Sequence, residues 1–308
     1  MTLLEAINSK NTVKTFQSRK VGDEIFQGIL KFAEILQLPM ASAAVDLEVA
    51  GSAGDARRQL GVKAPYFLFI YTENQEEGSL NAGYTAEQLS LYLWTKGLGS
   101  RILGFREDLS DSGRRRGRGG AVLAFGWPQN RGEAAPYGDR VFENGKESKS
   151  WTSAVLEQAG IHGEGRKLRH LRFDVSQQGI DCYRKKHFFQ AKRKSLQDSF
   201  EAGRILAHIF VAAEDLWLRL EVVSDMQKSM DTVKGEYLLT IQEKKPAAER
   251  TGDERFPRLL CQGTQESVGY GYPYGGVCRQ RPILSVKGGE ALASPNTQIV
   301  HGAAAQRA

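Results

Sequence analysis

The chain has 308 residues, a net charge of +6, 41% hydrophobic and 25% charged side chains. That length admits one large domain or two ordinary ones with a sizeable core. With no apolar run of roughly 18 residues and no basic-then-apolar start, the sequence speaks against a membrane span and a secretory signal. The cysteines Cys182, Cys261 and Cys278 are odd in number and widely spaced, the usage of free thiols in a reducing cytoplasm rather than of a disulfide framework or zinc site.

Taken in order, Thr2 to Ser9 reads as a short amphipathic helix with Thr2 as its cap. Lys10 to Phe16 is polar, and if extended it places Lys10, Thr12 and Lys14 on one face and Val13 on the other. Two ammonium groups and a hydroxyl on one face suit a phosphate, by charge and by hydrogen bonding; a solvated loop is the plainer reading of so short a segment. Gly22 to Leu36 has apolar residues at helical spacing. Ala44 to Ala50 alternates like a half-exposed strand, Ser52 to Leu60 reads as a short helix, and the apolar run Pro65 to Tyr71 as a central buried strand.

Ala86 to Lys96 reads as a helix buried on most sides, stopped at Gly97-Leu98-Gly99 because glycine takes the left-handed conformation that ends a helix. Ile102 to Phe105 then returns as a segment rich in bare amide donors. Ala121 to Trp127 is a further core strand, and the alternation of elements predicts an α+β or α/β domain around a sheet.

These features, in this order, resemble the FMN-dependent nitroreductase family. The residues that carry the resemblance are Lys10, Thr12, Lys14 and Phe16; Gly97-Leu98-Gly99; Ile102-Leu103-Gly104; and Gly126-Trp127-Pro128. The resemblance covers about residues 1–155 and implies an α+β nitroreductase-like sheet core flanked by helices. It implies that Lys10, Asn11, Thr12 and Lys14 hold the phosphate and ribityl chain of FMN, that the amides of Leu103 and Gly104 face the redox edge of the flavin, and that Lys146 or Lys149 returns to the phosphate. It also implies NAD(P)H as hydride donor, a small acceptor such as a nitroaromatic or quinone, and a homodimer. No side chain is expected as acid or base, since the flavin carries the redox chemistry. Lys10 departs from the usual Arg at the first cation, and no Asn follows Pro39-Met40-Ala41-Ser42 where many members have one.

Beyond residue 155 the expectation is a basic helical appendage over 156–243 and a disordered tail over 244–308. Ile161 to Phe200 carries ten Lys or Arg against four Asp or Glu, a surplus equal to the whole net charge. That surplus motivates a second reading, a redox-inactive flavin-fold module that contacts nucleic acid or protein through its basic half. The loop Ser112 to Gly120, SGRRRGRGG, lacks the interleaved aromatics of a nucleic-acid tract and reads as a surface loop. A third reading is that the first half folds alone. His170, His187 and His208 lack metal-ligand spacing and read as surface or packed histidines.

Overall fold

The computed structural model describes residues 1–51, 60–73, 75–107, 109, 118–130, 150–161, 170–185, 192–225, 228, 235–244 and 284–287. Helix α1 (Leu3–Ser9) opens on a complete capping box: Glu5 N donates to Thr2 Oγ1 at 3.1 Å and Thr2 N to Glu5 Oε2 at 3.0 Å. Helix α2 (Asp23–Ile35) buries Phe26, Ile29 and Ala33 along one stripe, as its spacing requires.

Strands β1 (Val45–Gly51), β2 (Tyr66–Glu73), β3 (Gly99–Arg106) and β4 (Arg118–Gly126) join β9 (Leu284–Lys287) in a sheet of order β3-β4-β2-β1-β9. β2 sits in the middle as its apolar run predicts, antiparallel to both β1 and β4. β1 departs from the half-exposed reading. It lies between β2 and β9, its Asp46 and Glu48 are buried, and Glu48 accepts a hydrogen bond from the Tyr71 hydroxyl at 3.3 Å. Alternation signals a solvated face only where nothing packs on that face.

Helix α3 (Glu76–Thr95) begins ten residues before the expected Ala86. Its internal Gly83 is a packing position rather than a breaker: a Cβ there would run into the Phe200 carbonyl oxygen of a neighbouring helix. β4 likewise starts early, so Arg118 to Gly120 belong to a strand rather than to the expected surface loop.

The second half is α+β, not a helical appendage. Helix α4 (Trp151–Gln158) leads into β5 (Leu171–Val175) and β6 (Gly179–Arg184); helix α5 (Lys192–Asp215) leads into β7 (Leu220–Val223) and β8 (Glu236–Glu243). These four strands form an antiparallel sheet of order β5-β6-β8-β7. Apolar residues at Leu220, Val222 and Val223 that extend the helical spacing on paper lie in a strand, because short apolar runs carry no decisive period. Of the expected disordered tail, 284–287 pairs in parallel with β1; its remainder beyond Lys244 lies outside the described residues, as do 52–59 and 111–117.

α3 and α5 pack along each other and feed both cores. Leu196 and Phe200 of α5 join Leu89 and Leu93 in the core under the first sheet, while Leu80 and Tyr84 of α3 join Phe173, Ile180 and Leu239 under the second. Each fully buried Leu or Phe contributes roughly 1.5–3 kcal/mol, so this seam is a main source of cohesion. Cations of the basic stretch are partly internal: Arg184 is buried against Glu76, and Arg172 pairs with Asp174 at 2.8 Å. Among the described residues no helix is long and apolar enough to cross a membrane, and no His, Cys, Asp or Glu group could hold a metal.

Candidate functional site

The segment after α1 is extended, as expected. It lies against the start of β3: Thr12 bridges Ser100 in parallel, Val13 N donates to the Ser100 carbonyl at 3.1 Å, and Phe16 bridges Pro128. Val13 is buried on Gly99, where a Cβ would collide with it, whereas Thr12 and Lys14 are exposed and Asn11 is half-buried. The Lys10 to Phe16 stretch and the Gly97 to Phe105 stretch therefore meet.

Lys10 does not stand beside Lys14 on the open face. Its ammonium is turned into the seam between α3 and α5, where it ion-pairs with Glu87 and donates to Ser90 Oγ at 2.8 Å. Ser90 Oγ in turn lies 2.6 Å from Ser100 Oγ. From α5, Arg204 Nε reaches Glu87 Oε2 at 2.9 Å and His208 Nε2 lies 3.2 Å from Glu87 Oε1. Burial alone would push the Glu87 carboxyl up, but Lys10, Arg204 and His208 together hold it well below its usual range. His208 is a packed histidine, as read. Glu87, Arg204 and their cluster were missed; the available signal was a glutamate in the middle of a helix read as buried on most sides, since a buried carboxylate demands cations.

β3 breaks register with β4 between Ile102 and Phe105, so Leu103 and Gly104 fall out of the ladder. Gly104 has φ +83°, a conformation that favours glycine. Over this bulge sits Gln197 of α5: Phe105 N donates to Gln197 Oε1 at 3.2 Å, and Gln197 Nε2 donates to Glu201 Oε1 at 3.2 Å. Gln197, Glu201 and Arg204 follow at i, i+4 and i+7 on one face of α5, a run of about 10 Å. That face is fastened to the Gly104 bulge at one end and to the Lys10–Glu87 cluster at the other. Lys146 and Lys149 lie outside the described residues.

The family model described as "Putative TM nitroreductase" matches residues 2–161, more than half of the chain. The chain belongs to this nitroreductase family. A solved structure described as a putative nitroreductase from Thermotoga maritima has the same fold, with a TM-score of 0.54 at 15% identity over 79% of this chain and 94% of that one. Nitroreductase A from Vibrio parahaemolyticus is similar at 17% identity (TM-score 0.40, 51% of this chain and 80% of that one). The NADPH:FMN oxidoreductase from Vibrio harveyi, complexed with NAD+, is similar at 18% identity (TM-score 0.38, 47% and 78%). No curated protein matches. The nitroreductase likeness in fold thus reaches well past the residues that the family model covers.

The arrangement in this family member suits a flat, anionic group. The bulge offers amides outside the ladder with no side chain on Gly104, and Thr12 and Lys14 offer a hydroxyl and a cation on the open side of the same junction.

Proposed function

We propose that the chain is an FMN-dependent oxidoreductase that takes hydride from NAD(P)H and delivers electrons to a small acceptor such as a nitroaromatic or quinone. The observation that carries this reading is the pairing of Thr12 with Ser100, which joins the phosphate-type segment to the bulged amide segment. Bound FMN would supply hydride acceptance and release at its ring.

The chain's residues bind and orient. Lys14 and Thr12 would hold the phosphate, with Asn11 beside them and Lys146 or Lys149 as the further cation that the family resemblance implies. Lys10, committed to Glu87 and Ser90, fixes the course of this segment from behind. The amides of Leu103 and Gly104 would supply fixed donors to the bound group, and such donors stabilise negative charge without reorganising. A cytoplasmic, reducing setting belongs to the same reading. The absorbance spectrum of the purified protein tests it: a yellow protein with oxidised-flavin bands, or one that acquires them with FMN, is expected, and a protein that stays colourless with FMN overturns it.

A further inference from the structure

The two sheets are built on one plan. In chain order the first half runs strand, strand, long helix, strand, strand (β1, β2, α3, β3, β4), and its neighbours across the sheet are β3-β4-β2-β1. The second half runs β5, β6, α5, β7, β8, with neighbours β7-β8-β6-β5.

The long helices match residue by residue, 120 positions apart (83 and 203, 97 and 217). Ser79-Leu80-Asn81-Ala82-Gly83 has its counterpart in Ser199-Phe200-Glu201-Ala202-Gly203. A Cβ on Gly83 would strike the Phe200 carbonyl, and one on Gly203 would strike the Leu80 carbonyl. Position i of one helix meets j of the other while j meets i, the signature of a two-fold contact.

The helix ends match too. Gly97 N donates to Trp94 O and Leu98 N to Leu93 O; Trp217 N donates to Glu214 O and Leu218 N to Ala213 O, each at the same spacing. Gly97 has φ +80° and Trp217 has φ +59°. Trp217 thus stands in the left-handed conformation that a glycine-type helix stop uses, at the position matching Gly97.

The chemistry is not copied. Glu87, Ser90 and Ser100 form the polar cluster under the first junction, and their counterparts are Ala207, Phe210 and Leu220. Phe210 stacks edge-on against the buried Tyr84 at 5.8 Å between centroids. At the second junction no carboxylate or cation stands at these positions: Tyr84 and Gln88, the counterparts of Arg204 and His208, hydrogen-bond to each other at 3.3 Å.

We infer that this chain is an internal dimer of two nitroreductase-type units, whose second unit supplies Gln197 and Arg204 to the one retained site, so that a single chain binds a single flavin. The inference rests on the flavin reading for its ligand, but not for its symmetry. A homodimer is what the family resemblance implies; here α5 occupies the place of a second copy's helix. Retention of the charged cluster at one junction and its loss at the other sets the stoichiometry at one rather than two.

Sedimentation equilibrium with added FMN, followed at protein and flavin wavelengths over a hundredfold range of protein concentration, tests both halves. Flavin travelling at the mass of one chain, at one per chain and with no loss of affinity on dilution, is expected. Flavin at the mass of two chains, lost on dilution, or two flavins per chain, overturns the inference. If no flavin binds, the flavin reading falls, and the mass of one or two chains still decides the internal dimer.

A mixing experiment places the second unit in the site. Lys14→Ala and Gln197→Ala are each expected to weaken FMN binding about tenfold, the loss of roughly one good hydrogen bond, with unchanged circular dichroism. Mixing the two variants is expected to restore nothing, because both defects lie in one chain's own site. Restored tight binding in the mixture would show sites shared between chains, and unchanged affinity in Gln197→Ala would remove α5 from the site.

Discussion

Lys10 and Glu87 form an ion pair whose side chains are 9% and 0% exposed, 77 residues apart in sequence. Arg204 and His208 complete the cluster from the other long helix, so the pair ties the phosphate-type segment to the seam on which both sheets rest. Removing one partner of a buried pair strands the other. Glu87→Gln is expected to destabilise the chain by about 3 kcal/mol, read from urea unfolding. A loss below about 0.5 kcal/mol would put the pair in the class of exposed ion pairs.

The same cluster sets an acid limit. The folded Glu87 carboxyl titrates well below its ordinary 4.5, so the unfolded chain binds its proton first as pH falls. Its stabilisation is fully present above the unfolded value and is lost as pH drops through the folded one. Unfolding free energy measured from about pH 6 down to about pH 3 should therefore decline more steeply in the parent than in Glu87→Gln. Parallel curves would assign the acid sensitivity to other carboxylates.

Much of the first half was legible because its signals are local. The Thr2 cap, the Pro65 to Tyr71 run and the Gly97 stop each act within a few residues, and each forms as the sequence predicts. The meeting of Thr12 with Ser100 was legible only through order of motifs. What escaped is set by distant partners. Asp46 and Glu48 are buried by what packs on β1, and Gly83 extends α3 because a second glycine-bearing helix approaches it. The second sheet was hidden because Leu220 to Val223, four residues long, has no period that separates strand from helix. Lys10 was assigned to the open face by strand alternation, whereas its long side chain turns inward to a carboxylate that only the fold brings near.

Trp217 is 94% exposed at φ +59°, so it bears backbone strain with little packing in return. Replacing it with glycine, the residue its counterpart Gly97 already is, should stabilise the chain by about 0.5–1 kcal/mol and raise the melting temperature. A lower melting temperature would mean that the indole makes contacts worth more than the strain it costs.

Lys14 carries the most direct claim on the cofactor. It is exposed two residues beyond the Thr12–Ser100 bridge, on the opposite side of the strand from buried Val13. On the proposed flavin reading, Lys14→Ala removes a charge-assisted contact to the phosphate and leaves the amides at the Gly104 bulge in place. The expected result is weaker retention of FMN with little change for riboflavin, which has the same ring and ribityl chain but no phosphate. Titration of both ligands by flavin fluorescence separates the outcomes: an equal loss for both would assign Lys14 to the fold of the segment, and no loss for FMN would remove it from the site.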